Sequence, residues 1–285
     1  MLMYRLVLLL LFLLSVKGFD VDSSDTAIQV LGQSGKVKIT RQNSTITMDF
    51  DSMYEKDSLD KIVGMQGSLQ NKHGINSFAT QNFVFGNKED VVFQGISMVS
   101  FTFESPINTV GTLKVRVFIS KSNGTIKNGN ETYAIVEGDV KWNIEVPVWN
   151  FLAETEFLEL NIIIKTLNDD EKVTQNGDKF TIGTMDLSTS NNVLIDNVLQ
   201  PMPNGFPKLS IQGNKQIFTF KFPKFATSMI YDPIFSNATP SENTTTEGLS
   251  LLAIILIIAG SVLLVGAAVF AIFSMRSNNY IRLNT

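Results

Sequence analysis

Apolar residues fall at every second position through much of this chain. Val37/Ile39, Ile46/Met48/Phe50, Leu113/Val115/Val117/Ile119, Trp142/Ile144/Val146/Val148, Leu158/Leu160/Ile162/Ile164 and Phe218/Phe220/Phe222 all keep that period. Lys114, Arg116, Asn143, Glu145, Glu159, Asn161, Thr219 and Lys221 stand between them. Successive side chains of a strand point to opposite faces, so the pattern predicts strands with one dry and one wet face, as antiparallel sheets allow. Asn123-Gly124 and Asn128-Gly129 supply residues that tolerate positive φ at tight connections. Residues 19–235 show no 3.6-residue period sustained over three turns. The predicted fold class is therefore all-β, an antiparallel β-sandwich or two related ones.

Two unbroken apolar runs lie outside that region. Leu6–Leu14 follows Arg5 and precedes small residues at Val16 and Gly18, the pattern of a signal peptide over residues 1–18. Leu249–Phe273 carries no charge for 25 residues, enough to cross a hydrocarbon core of about 30 Å as one transmembrane helix. Arg276 and Arg282 follow it, whereas Glu242 and Glu247 precede it, which places the C-terminus in the cytoplasm. The sequence thus predicts a type I single-pass membrane glycoprotein. Its parts are an extracellular or lumenal β domain over 19–235, a stalk over 236–247, a transmembrane helix over 248–273 and a cytoplasmic tail over 274–285.

Five sequons fit this placement, at Asn43, Asn123, Asn130, Asn237 and Asn243. The stretch Ser236–Glu247 (SNATPSENTTTE) is too polar to bury a core and reads as a glycosylated stalk. In the tail, Tyr280-Ile-Arg-Leu283 has the Tyr-x-x-hydrophobic spacing. Tyr280 and Leu283 of an extended tetrapeptide reach two pockets, so the clathrin-adaptor medium subunit is a predicted partner and sorting to the endosomal or lysosomal membrane an alternative to the plasma membrane.

Composition then narrows the chemistry. The chain has no cysteine and one histidine, His73, which removes thiol nucleophiles, disulfides and cysteine-ligated metal. His73 lies in the polar stretch Gln70-Asn-Lys-His-Gly74 and reads as a surface residue. With 23 basic and 27 acidic residues the net charge is −4, so no nucleic-acid partner is expected. Asp49/Asp51, Asp169/Asp170 and Asp186 are the carboxylates available to a hydrolase. Asn168–Glu171 is an incomplete shell for calcium, which takes six to eight oxygens. Gly64-Met-Gln-Gly67 lacks the lysine of a phosphate loop. Trp142, in phase with its strand, is a predicted core residue, whereas Trp149 beside Pro147 packs at a strand end or stays exposed. No catalytic, cofactor-binding or metal-ligating residue is predicted, and no cofactor.

Several segments together resemble a known family. Ile75–Gly86 (INSFATQNFVFG), Gly138–Phe151 (GDVKWNIEVPVWNF), Phe157–Lys165 (FLELNIIIK) and Met229–Phe235 (MIYDPIF) are similar to the skeletal aspartic acid-rich proteins of coral skeletal organic matrix. The resemblance implies an extracellular domain type. It does not extend to the long aspartate blocks of that family, since the densest acidic cluster here is Asp169-Asp170-Glu171. Three function classes follow. The first is a non-enzymatic domain for surface binding, adhesion or matrix interaction, with an extracellular protein or glycan as ligand. The others are an endosomal or lysosomal glycoprotein and a membrane-anchored carboxylate hydrolase.

Overall fold

The computed structural model describes residues 19–237 except 24, 32–33, 43, 66–71, 167–172 and 213–214. The chain divides into two compact units, 1–238 and 239–285, and every described residue belongs to the first. That unit is built from two antiparallel sheets and one separate hairpin.

The first sheet runs in the order Phe19–Ser23, Thr26–Leu31, Lys36–Arg41, Ser44–Lys56, Phe157–Thr166, Lys215–Pro223, Lys208–Gln212. Ile62–Val63 and Gly74–Ile75 pair with the far end of Ser44–Lys56. The second sheet is centred on Ile96–Ile107, Gly111–Ser120 and Val140–Val146, with Ile234–Asn237 and Met229–Tyr231 both pairing to Val140–Val146. Gly124–Asn128 and Glu131–Ile135 form the hairpin, where Gly129 at φ 60° takes the left-handed position of its two-residue loop. Asp196 and Asn197, at φ 51° and 64°, turn the connection between Asn192–Ile195 and Val198–Pro201 in the same way.

The period-two pattern is spent between the sheets. Lys36–Arg41 alternates strictly, with Val37, Ile39 and Arg41 inward, and Leu113, Val115 and Val117 are fully buried across the core. Phe50 of the first sheet stacks on Trp142 of the second at 6.4 Å between ring centroids, and Phe220 meets Tyr231 at 5.5 Å. One buried cluster takes in both sheets, so the architecture is a single sandwich-like pair of layers. Strand Ile234–Asn237 continues two residues past 235 because Ser236 and Asn237 pair with Asp186 and Met185.

One element of the expected fold class is corrected. Among the described residues no helix is long and apolar enough to cross a membrane, and the helix found there is the three-residue 3-10 turn Phe78–Thr80. Every other described element is a strand, and most of the apolar strand residues go into the core between the sheets. Among the described residues the fold class is therefore all-β, with no membrane-crossing helix. The type I single-pass assignment, the plasma-membrane or endosomal and lysosomal placement, and the integral-membrane and clathrin-adaptor partners all depended on that helix and are withdrawn with it. The signal peptide over 1–18, the run over 248–273, Tyr280 and Leu283 of the tail, Asn43 and Asn243 lie outside the described residues.

Candidate functional site

Strand Ser44–Lys56 changes phase part-way along its length. Ile46, Met48 and Phe50 point into the core, and then Met53 and Glu55 take the inward positions. The change falls where the register against Phe157–Thr166 slips: Phe50 faces Ile162 and Ser52 faces Asn161, so Asp51 is an extra residue. A β-bulge bends its strand and re-aims the side chains beyond it. Here it turns Ser52 and Tyr54 onto the outer face of the first sheet.

Cross-strand rows on that face follow from the register. Ser52, Asn161, Thr219 and Lys208 form one row, and Tyr54, Glu159 and Lys221 the next. Asp49, Ile163, Ile217 and Ser210 lie on the other side. Asn161 ties the middle row together. Its Nδ2 donates to Ser52 Oγ and to Glu159 Oε1, both at 3.2 Å, while its Oδ1 accepts from Thr219 Oγ1 at 2.7 Å. Ser52 Oγ donates onward to Asp51 Oδ2 at 3.2 Å. An amide held at three points is a fixed floor.

Over this floor opens a cavity of about 430 Å³ walled by Tyr54, Asp60, Phe206, Lys208 and Gln212. Lys221 Nζ donates to Asp60 Oδ1 at 2.7 Å, and that bond, joined by the lysine charges nearby, holds the Asp60 carboxyl below its ordinary value against the opposing effect of burial. The same ammonium lies 4.2 Å above the Phe157 ring. Glu159 Oε2 is 3.6 Å from Lys56 Nζ. A second cavity of about 320 Å³ adjoins the first and shares Asp51 with it. Within it Asp49 sits between Lys36 and Lys165, at 3.6 and 3.5 Å.

Beneath the sheet Glu55 is fully buried. Its carboxylate accepts from Trp149 Nε1 at 2.8 Å, from the Leu152 backbone N–H at 3.0 Å and from Thr155 Oγ1, and it faces His73 Nδ1 at 2.9 Å. Four partners shared between two oxygens make this a structural knot that ties His73 and the 149–155 segment to the strand end.

The sequence-predicted residues scatter over this framework. Asp49 and Asp51 reach the outer-face cavities, whereas Asp186 is buried and bound by Lys179 Nζ at 2.6 Å and Thr181 Oγ1 at 2.7 Å. Asp169, Asp170 and the remainder of Asn168–Glu171 lie outside the described residues. His73 is drawn inward by Glu55 rather than left in a polar loop. Trp149 is buried, because its indole N–H has a buried acceptor; Trp142 is in the core as predicted. Asn123 and Asn130 are exposed at the two ends of the Gly124–Asn128 strand. Asn237 closes the last described strand. Sequence reasoning assigned Glu159, Asn161, Thr219 and Lys221 to a wet face without seeing that they adjoin. The signal was their shared outward phase, which register alone converts into a surface.

The family model described as acidic skeletal organic matrix protein matches residues 40–180 and 166–265, spanning most of the chain. The chain belongs to this family. Its matched region takes in strands of both sheets and every residue of the Asn161 row. As a family member it is only mildly acidic, with 27 acids against 23 bases.

Proposed function

We propose that this chain is a non-enzymatic module of an organic matrix, a β-sandwich that engages matrix polymers through the outer face of its first sheet. Membership of a family described as skeletal organic matrix protein carries the reading. Kinship with the skeletal aspartic acid-rich proteins of corals is the narrower form of the same proposal. A leader over residues 1–18 and N-glycans at the exposed Asn123 and Asn130 belong to it as well.

The electrostatics of the face favour binding over catalysis. Glycoside hydrolysis by two carboxyl groups needs one whose pKa is raised so that it donates a proton. Asp60 is shifted the other way by Lys221, and Glu159 and Asp49 each lie within 4 Å of a lysine. These pairs also reduce the capacity of the face to collect calcium or mineral, which an unpaired acidic surface would have.

The test is sedimentation of the full chain with insoluble chitin, cellulose and collagen, followed by assay of the supernatant. Co-sedimentation with at least one polymer and no accumulation of soluble fragments is the expected result. Release of soluble sugar that disappears in Glu159→Gln would make the protein a hydrolase, and failure to sediment with all three would remove the matrix role.

A further inference from the structure

We propose that the two adjoining outer-face cavities form one groove for an extended, uncharged polysaccharide chain; this rests on the matrix-module reading and names its ligand. The cavities share Asp51 and meet across the cross-strand pair Ile163 and Ile217, which face each other on the outer surface. From Lys36 to Gln212 the lining crosses five neighbouring strands of the first sheet. Four inter-strand spacings amount to about 19 Å, room for roughly four sugar units of an extended chain.

Charge selects the ligand class. Asp49 is bracketed by Lys36 and Lys165, Glu159 is near Lys56, and Asp60 is hydrogen-bonded by Lys221. With these acids matched, and with Asp49, Asp51, Asp60 and Glu159 balanced in the two linings by Lys36, Lys165, Lys208 and Lys215, the groove offers a polyanion or a polycation no net charge to bind. A neutral chain disturbs neither set.

The groove also holds polar groups that the protein has not used. Among the described residues the Tyr54 hydroxyl, Ser210 Oγ and the Gln212 amide make no hydrogen bond, yet all three line the larger cavity, with exposed Lys208 beside them. Sugar hydroxyls both donate and accept, which suits a hydroxyl, an amide and an ammonium set over the fixed Ser52–Asn161–Thr219 row. Apolar surface for the C–H faces of a sugar ring comes from the half-buried Tyr54 and Phe206 rings.

The experiment titrates the full chain with chitohexaose, cellohexaose and heparin, at about 0.05 and about 0.5 M NaCl so that screening separates charge from hydroxyl recognition. The expected result is binding of at least one uncharged hexaose, little changed by salt. The Tyr54→Ala/Gln212→Ala variant should lose about tenfold or more in affinity with an unchanged melting temperature. A second variant, Ser210→Ala with Lys208→Ala on the strand that carries Gln212, should weaken binding likewise. Salt-sensitive binding of heparin alone would overturn the inference, as would hexaose binding that both variants retain in full. Sedimentation with collagen but no hexaose binding would overturn the inference and leave the matrix-module reading standing. Absence of binding to every polymer would overturn both.

Discussion

Trp149 donates its indole N–H to Glu55, 94 residues away in sequence, at 2.8 Å inside the sandwich. The bond joins the second sheet's border, where Trp149 bridges Gly111, to the end of the longest strand of the first. A Cβ on Gly111 would come within 2.5 Å of the Trp149 ring, so the residue beside the indole must be glycine. Glu55→Ala leaves buried donors without an acceptor, and each unsatisfied group costs about 1–3 kcal/mol. Glu55→Ala should therefore lose about 3 kcal/mol or more in urea denaturation, and Trp149→Phe about 1–2 kcal/mol. Equal stability of Glu55→Ala and wild type would show that the buried carboxylate is not needed to hold this corner.

A second prediction concerns the link between Arg41 and Asp139. Both side chains are nearly fully buried, and the guanidinium donates to Asp139 Oδ1 and, at 2.8 Å, to the Glu137 carbonyl. Burial raises the Asp139 carboxyl above its ordinary value, with the Val136 N–H and Arg41 opposing. A raised folded-state pKa contributes stability that is full below the unfolded value near pH 4 and lost as pH rises through the folded value. Arg41→Met removes a group that lowers this pKa and widens the window. The variant should lose about 3–5 kcal/mol at pH 7, as for any broken buried ion pair. The deficit against wild type should shrink as pH falls toward 4, where Asp139 takes up a proton. A deficit independent of pH would assign the loss to packing alone.

Asp196 gives the opposite sign at the surface. It accepts from the backbone N–H groups of Ala226, Thr227 and Ser228 at 2.8, 2.6 and 3.0 Å, and these bonds hold its carboxyl well below the usual range. A depressed folded-state pKa contributes stability above the unfolded value that is lost as pH falls through the folded one. Asp196→Asn should speed hydrogen exchange at these three amides at neutral pH and flatten its acid dependence. Unchanged exchange would mean that the turn holds without the carboxylate.

Legibility in the sequence followed locality. The alternation of Leu158/Leu160/Ile162/Ile164 or Leu113/Val115/Val117 is written in adjacent residues and gave the strands and their buried faces directly. Pairing is not written locally. Ser52, Asn161, Thr219 and Lys208 come from four segments, and nothing in each alone names the others. His73 was misread for the same reason, since what draws it inward is a glutamate at a distance; the same glutamate fixes Trp149 in the strand-end packing that was one of its two expected placements. The bulge was half visible: apolar phase runs through 46, 48 and 50 and resumes at Met53, an odd step that marks an inserted residue.

That inserted residue supplies the last prediction. Deleting Asp51 would make Phe50–Ile162 and Ser52–Asn161 consecutive pairs and keep Met53 and Glu55 pointing inward, so the core is preserved. What is lost is the bend in the floor and the carboxylate that accepts from Ser52. The deletion variant should fold with the environment of Trp149 unchanged in fluorescence and a stability loss of about 1–2 kcal/mol. Its affinity for an uncharged hexaose should fall about tenfold. Inserting one alanine after Asp51 does the reverse, because every residue from Ser52 to Lys56 then changes face and Glu55 loses its buried donors. That variant should fail to fold cooperatively. If the deletion unfolds the protein as thoroughly as the insertion, the bulge serves the core and not the groove, and the groove would have to be explained without it.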